Sequence, residues 1–213
     1  MKSLNEATEF LHNYCDFSNP NLVYVLKGMS RNKDNSGVEG KSVRFMRRLV
    51  LAKPDDIEPC VADMRKMADD PNTVYRTYIS VNARDVVKAA FTFQKKLIDI
   101  GYDLARGLPD AVQQSKKLGS IWKTQLEQTC NRGTKKFLLD VDNDNGEKFD
   151  YILTFLNQLT YVYLHRRTVS GYHIVFKACD TRELMLYCQE IGAEVDLQRD
   201  SMVFVEQWKG SDV

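Results

Sequence analysis

The hydrophobic period of the last third of the chain switches repeatedly between two and about three and a half, and this constrains the fold more than any other feature. Residues 137–142 alternate as a strand, and 147–158 have helical spacing. Residues 161–168 and 172–177 form a hairpin joined through Ser170 and Gly171. Then 181–191 reads as a helix, 194–197 as a strand, and 202–205 as one further, appended strand. The order β-α-β-β-α-β predicts an α+β chain with a core of the ferredoxin or RNA-recognition type. In that topology the first and third strands are central neighbours, the fourth lies beside the first, and both helices cover one face.

The N-terminal part has mixed character. The spacing predicts a helix over 3–14 with Ser3 as N-cap, a strand over 22–26, a helix over 55–69, a strand over 73–81, and helices over 85–100 and 110–128. Between them, 30–40 has the Gly, Asn, Asp and Ser of an exposed loop. The following KSVRFMRRLVLA, with Lys41, Arg44, Arg47 and Arg48, reads as a basic strand or helix, facing either solvent or a phosphate backbone. The expected organisation is therefore an N-terminal α/β and helical region, 1–134, packed on a core, 135–213, as one compact unit.

Strand alternation predicts a functional face. On the first core strand Phe137, Leu139 and Val141 point to the helices, so Asp140 and Asp142 point away from them. On the third, Tyr172, Ile174 and Phe176 are the core set, which leaves His173 beside the aspartates. On the fourth, Val195 and Leu197 go inward and Asp196 outward. Carboxylates crowded on one face repel one another and are stable mainly when a divalent cation neutralises them. Oxygen ligands select Mg²⁺ or Mn²⁺. The Asp- and Asn-rich run after Asp142 is no EF-hand, because Asn145 stands where glycine belongs and Tyr151 where glutamate belongs. Asn143, Asp144 and Asn145 are expected only to cap the next helix. His12 and His165 are expected at the surface.

Composition excludes little else. Thirty Lys and Arg against twenty-nine Asp and Glu leave a net charge of +1, which decides nothing about nucleic acid. Cys15, Cys60, Cys130, Cys179 and Cys188 are odd in number and contain no C-x-x-C pair, so zinc ribbons and disulfide frameworks are not expected. Without a signal-like apolar run or a stretch of ~18 apolar residues, the expected location is the cytoplasm, with no membrane partner.

These residues resemble the archaeo-eukaryotic primase superfamily, over roughly 135–205. FLLDVD matches its hhhDhD strand at Asp140 and Asp142, and TVSGYHIVF matches its S-G-x-H strand at Ser170, Gly171 and His173. In EVDLQRD the family's third acid falls on Asp196, with Glu194 and Asp200 as competitors. The resemblance implies that Asp140, Asp142 and Asp196 hold metal, and that Ser170 and His173 contact the phosphates of an incoming nucleoside triphosphate. Arg76, Asn82 and Arg84, in VYRTYISVNARD, are further candidates for nucleotide or template contact, and Lys177, on the same face as Val175, is a further candidate for reaching the nucleotide's phosphate.

The implied activity is template-directed nucleotidyl transfer by a compact primase-polymerase of the phage or plasmid kind, acting in the host cytoplasm if phage-encoded. A single-stranded nucleic acid is the expected template. With no P-loop motif in the chain, helicase activity would come from a separate protein. Two alternatives use the same surface: a metal-dependent nuclease or phosphodiesterase, and a non-catalytic nucleic-acid-binding module. A replication-initiator nuclease would need a His-x-His strand, and YHI supplies one histidine.

Overall fold

Among the described residues of the computed structural model, runs of alternating apolar residues pair into two antiparallel sheets, and seven α-helices cover them. The structure describes residues 2–31, 34–35, 44–66, 71–142 and 146–212, with the side chains of 2–5, 44–46 and 212 excepted. The readings at Ser3, Lys41, Arg44, 67–69 and Asn143, Asp144 and Asn145, and most of the loop at 30–40, therefore lie outside what is described.

The chain runs through α1 (Lys2–Tyr14), β1 (Leu22–Ser30), β2 (Arg44–Leu51), α2 (Ile57–Arg65), β3 (Val74–Ser80) and the short β4 (Arg84–Asp85). Three helices follow, α3 (Val86–Ala105), α4 (Pro109–Ser115) and α5 (Leu118–Leu126). The last part comprises β5 (Lys136–Asp142), α6 (Glu147–Leu159), β6 (Val162–Arg167), β7 (Gly171–Lys177), α7 (Arg182–Glu190), β8 (Glu194–Gln198) and β9 (Met202–Lys209). Among the described residues no helix is long and apolar enough to cross a membrane.

The first sheet has the order β2-β1-β3-β9, with β4 pairing to β1, and the second β6-β7-β5-β8. The second packs on α6 and α7 through Leu139, Val141, Ile174 and Phe176, which meet Ile152, Leu156 and Leu184. A separate cluster joins Phe10 and Leu11 of α1 and Val61 and Met64 of α2 to the first sheet, and takes in Leu138 and Val175 of the second. Gly28 lets Met64 close on β1, since a Cβ there would collide with its thioether.

Some of these expectations change, and one left open is resolved. The helix expected over 110–128 breaks at Lys117, whose backbone leaves the helical region between α4 and α5; Ser115 and Gly119, poor helix formers, flank the break. The strand expected over 202–205 runs to Lys209 and pairs with β3 of the first sheet instead of extending the second. The described part of the basic segment, Arg44–Leu51, is strand β2, and two of its arginines face carboxylates: Arg47 pairs with Asp63 at 3.0 Å and Arg48 with Glu127 at 2.6 Å. Downstream, α3 begins where Asp85 accepts the Val87 and Lys88 N–H groups at 2.9 and 3.0 Å, an N-cap that fixes its start.

Candidate functional site

Alternation along β5 sends Leu139 and Val141 into the helix-covered core and leaves Asp140 and Asp142 on the other face. Antiparallel register sets their neighbours. Asp140 lies between His173 of β7 and Asp196 of β8, and Asp142 between Gly171 and Glu194. Directly opposed residues hold their Cβ atoms about 5 Å apart, so these side chains occupy one patch. The face is not open along its length. Leu138 and Val175 on it are buried in the cluster shared with α1, α2 and the first sheet, and at the acid end the two sheets face one another across a cleft of about 380 Å³.

The second sheet lines this cleft with Leu138, Asp140, Asp142, His173 and Gln198, and the β6–β7 turn adds Thr168 and Ser170. The opposite wall has Met29 and Arg31 at the end of β1, Arg76 and Tyr78 of β3, and Met202 and Phe204 of β9. Arg76 is only 5% exposed and pairs with Asp34; its Nε is buried without a hydrogen-bond partner among the described residues. Among the described residues no carboxylate pairs with Arg31.

His173 is held in one tautomer. Its Nδ1 accepts the Phe204 N–H at 3.1 Å, so the ring proton resides on Nε2, which faces Asp140 Oδ1 at 3.4 Å. Burial, and after it the Arg166 and Arg76 guanidiniums, push the imidazole pKa down to about 4. The Asp140 carboxylate acts in the opposite sense, but at a separation too long for a strong hydrogen bond it does not prevail. Gly171 has a steric role two residues earlier: a Cβ there would run into the Val141 carbonyl and force β7 off β5 beside Asp142.

The remaining sequence-derived residues are distributed differently. Asp196 is beside Asp140 in register but does not line the cleft, and its Oδ2 accepts a 2.5 Å hydrogen bond from Gln198. Asp200 is held by both terminal nitrogens of Arg84, each at 2.9 Å, and by Asn82 at 3.3 Å. Asn82 also accepts the Lys136 N–H at 2.7 Å, so Asn82, Arg84 and Asp200 form a buried joint between the sheets, away from the cleft. Lys177 lies four residues beyond His173, at the far end of β7. Among the described residues no three His, Cys, Asp or Glu side chains stand together as a ready ligand set for a metal.

Arg31, Tyr78, Gln198 and Phe204 are cleft residues that sequence reasoning did not single out. The strand expected to end at 26 in fact continues to Ser30, which moves Arg31 from a loop to the cleft wall. For Phe204 the available signal was the appended strand itself, whose sheet cannot be read from its own residues. Comparison of the chain with protein-family models, with curated proteins and with solved structures finds no match.

Proposed function

We propose that the chain joins nucleoside triphosphates on a single-stranded template, as a primase or primase-polymerase of the compact phage and plasmid kind. The observation that carries this reading is the opposition of charge across one cleft, with Asp140 and Asp142 on one wall and Arg31 and Arg76 on the other. Guanidinium groups pair well with phosphate oxygens, so the arginine wall suits the anionic end of a triphosphate. The aspartate wall fits a hard divalent cation, because Mg²⁺ commonly takes one or two carboxylates and completes its shell with phosphate oxygens and water. Asp140 and Asp142 would hold it, with Asp196 the further carboxylate next to Asp140 by register. Bound there, Mg²⁺ or Mn²⁺ would neutralise triphosphate charge and acidify the attacking hydroxyl.

The chain's own groups have distinct tasks in this reading. His173, neutral above about pH 4, offers a fixed N–H and no charge, which suits it to orient a phosphate oxygen rather than to exchange protons. Ser170 and Thr168 add hydroxyl donors to the same cleft. The strand order β6-β7-β5-β8, with α6 and α7 against one face, supports the finer reading of the second sheet as a ferredoxin-like core. A cytoplasmic enzyme working with a helicase from another chain completes the proposal.

The test is synthesis on an unprimed and a primed single-stranded template, with labelled nucleoside triphosphates and Mg²⁺ or Mn²⁺. Wild type is expected to make product, and Asp140→Ala/Asp142→Ala to lose it by at least about 100-fold. Metal-dependent degradation of the template without triphosphates would replace this reading with hydrolysis. Absence of product together with absence of triphosphate binding would sink it.

A further inference from the structure

The face that carries the acids has a second concavity at its other end. Lys136 lies four residues before Asp140 on β5, about 13 Å along the strand, and is paired in register with Lys177 of β7. Opposed residues on neighbouring strands share a face, and like charges placed there repel. Among the described residues neither ammonium has a carboxylate partner in an ion pair; the acid whose field reaches Lys136 is Asp16, which accepts the Ser18 N–H at 2.9 Å. The Lys136 Nζ instead stands between two aromatic faces, 5.3 Å from the Tyr14 ring centroid and 4.6 Å from that of Tyr163. Tyr163 meets Tyr161 edge-on at 4.9 Å, and both remain exposed, Tyr161 at 65% and Tyr163 at 45%. Beside Lys136 and Tyr163 opens a cavity of about 500 Å³ that Tyr14, Asp16 and Tyr24 also line.

Cation–π contact accounts for Lys136 and Tyr163 as a structural pair. It leaves unexplained why a second lysine is set directly opposite the first, and why Tyr161 stands in water next to them. We infer that this end of the sheet binds single-stranded nucleic acid, with phosphates on Lys136 and Lys177 and bases stacked on Tyr161 and Tyr163. Lysines on neighbouring strands beside exposed rings are the chemistry by which unpaired strands are held without sequence preference. An acidic peptide would gain little from the rings. The site stands independently of the acids; only the bound strand's role as template rests on the nucleotidyl-transfer reading.

Fluorescence anisotropy with a labelled twelve-nucleotide oligothymidylate, in the absence of metal and triphosphates, tests the site. Lys177→Glu and Tyr161→Ala change exposed side chains, so folding is not at stake, and far-UV circular dichroism verifies it. Each is expected to weaken binding by about tenfold. The slope of log affinity against log salt should become shallower in Lys177→Glu and stay unchanged in Tyr161→Ala, because only the lysine releases a counterion. Wild-type affinity in both variants would overturn the inference. So would capture of phosphatidylserine vesicles by wild type with no binding of the oligonucleotide. Weakened oligonucleotide binding in these variants, alongside a wild-type protein that neither makes polymer nor binds triphosphates, would keep this site while sinking the catalytic reading.

Discussion

His173 carries its single proton on Nε2 because Nδ1 already accepts the Phe204 N–H, and this contact makes the residue's titration a property of the fold. In the unfolded chain the imidazole takes up a proton near pH 6.5, whereas in the folded protein burial and the two neighbouring guanidiniums hold that uptake back to about 4. Between these values the unfolded state binds more protons than the folded one, so stability rises with pH through the window and is lost as pH falls through it. The full contribution at neutral pH is about 3 kcal/mol. Denaturant unfolding of the metal-free protein at pH 7.5 and pH 4.5 is therefore expected to give a lower midpoint in acid. His173→Asn, whose Oδ1 can take the place of Nδ1 as acceptor for the Phe204 N–H but which cannot ionise, should flatten that dependence relative to wild type. Equal pH slopes in the two proteins would show that the ring is not held neutral by its surroundings.

At the scale of elements, the loop from β8 to β9 is fastened to β4 by Asp200, whose carboxylate receives two hydrogen bonds from the buried Arg84. Removing one partner of such a pair strands the other charge away from water. Asp200→Ala is expected to cost about 3 kcal/mol, read in a chain of this size as a fall of roughly 6–12 °C in melting temperature. Triphosphate- and metal-dependent stabilisation should survive in this variant; its loss would return Asp200 to the acids of the cleft. How far such roles could be read from sequence depends on whether the signal is local. The alternation of Leu139 and Val141 against Asp140 and Asp142 is local, and it placed the acids on the correct face of β5. His173 followed from the same rule on β7. The partner of that face was not legible, although Leu138 and Val175 hinted at it: apolar residues on an acid-bearing face need something to cover them. Arg76 was named from its own segment, but Arg31 was hidden more deeply, because Lys27 and Gly28 interrupt the apolar run of β1 and disguise its continuation to Ser30. Arg84 and Asp200, 116 residues apart, reveal their pairing only in three dimensions.

For the whole molecule, the two stretches 1–134 and 135–213 do not map onto the two sheets. Strand β9 leaves the second sheet's segment to pair with β3 from Val74 to Ser80, and its Val203 and Val205 enter the cluster built by α1, α2 and the first sheet. Leu138 and Val175 reach into that same cluster from the second sheet. Each half thus lacks part of its own core: the first sheet without β9 exposes an edge at β3, and the second without α1 and β1 exposes Leu138 and Val175. Chains above about 150 residues commonly unfold through intermediates, but here neither sheet can be lost without uncovering the other. The expectation is a single equilibrium transition in denaturant. Trp122 in α5 and Trp208 in β9, stacked on Tyr75 with centroids 4.7 Å apart, place fluorescence probes in two regions. Fluorescence of the single-tryptophan variants Trp122→Phe and Trp208→Phe should give midpoints that coincide with the far-UV circular dichroism of the same proteins. Separate midpoints for the two tryptophans would mean that the helical layer of α3 to α5 unfolds on its own and that the shared cluster does not couple the molecule, whereas coincidence would tie the geometry of the cleft to the integrity of both sheets at once.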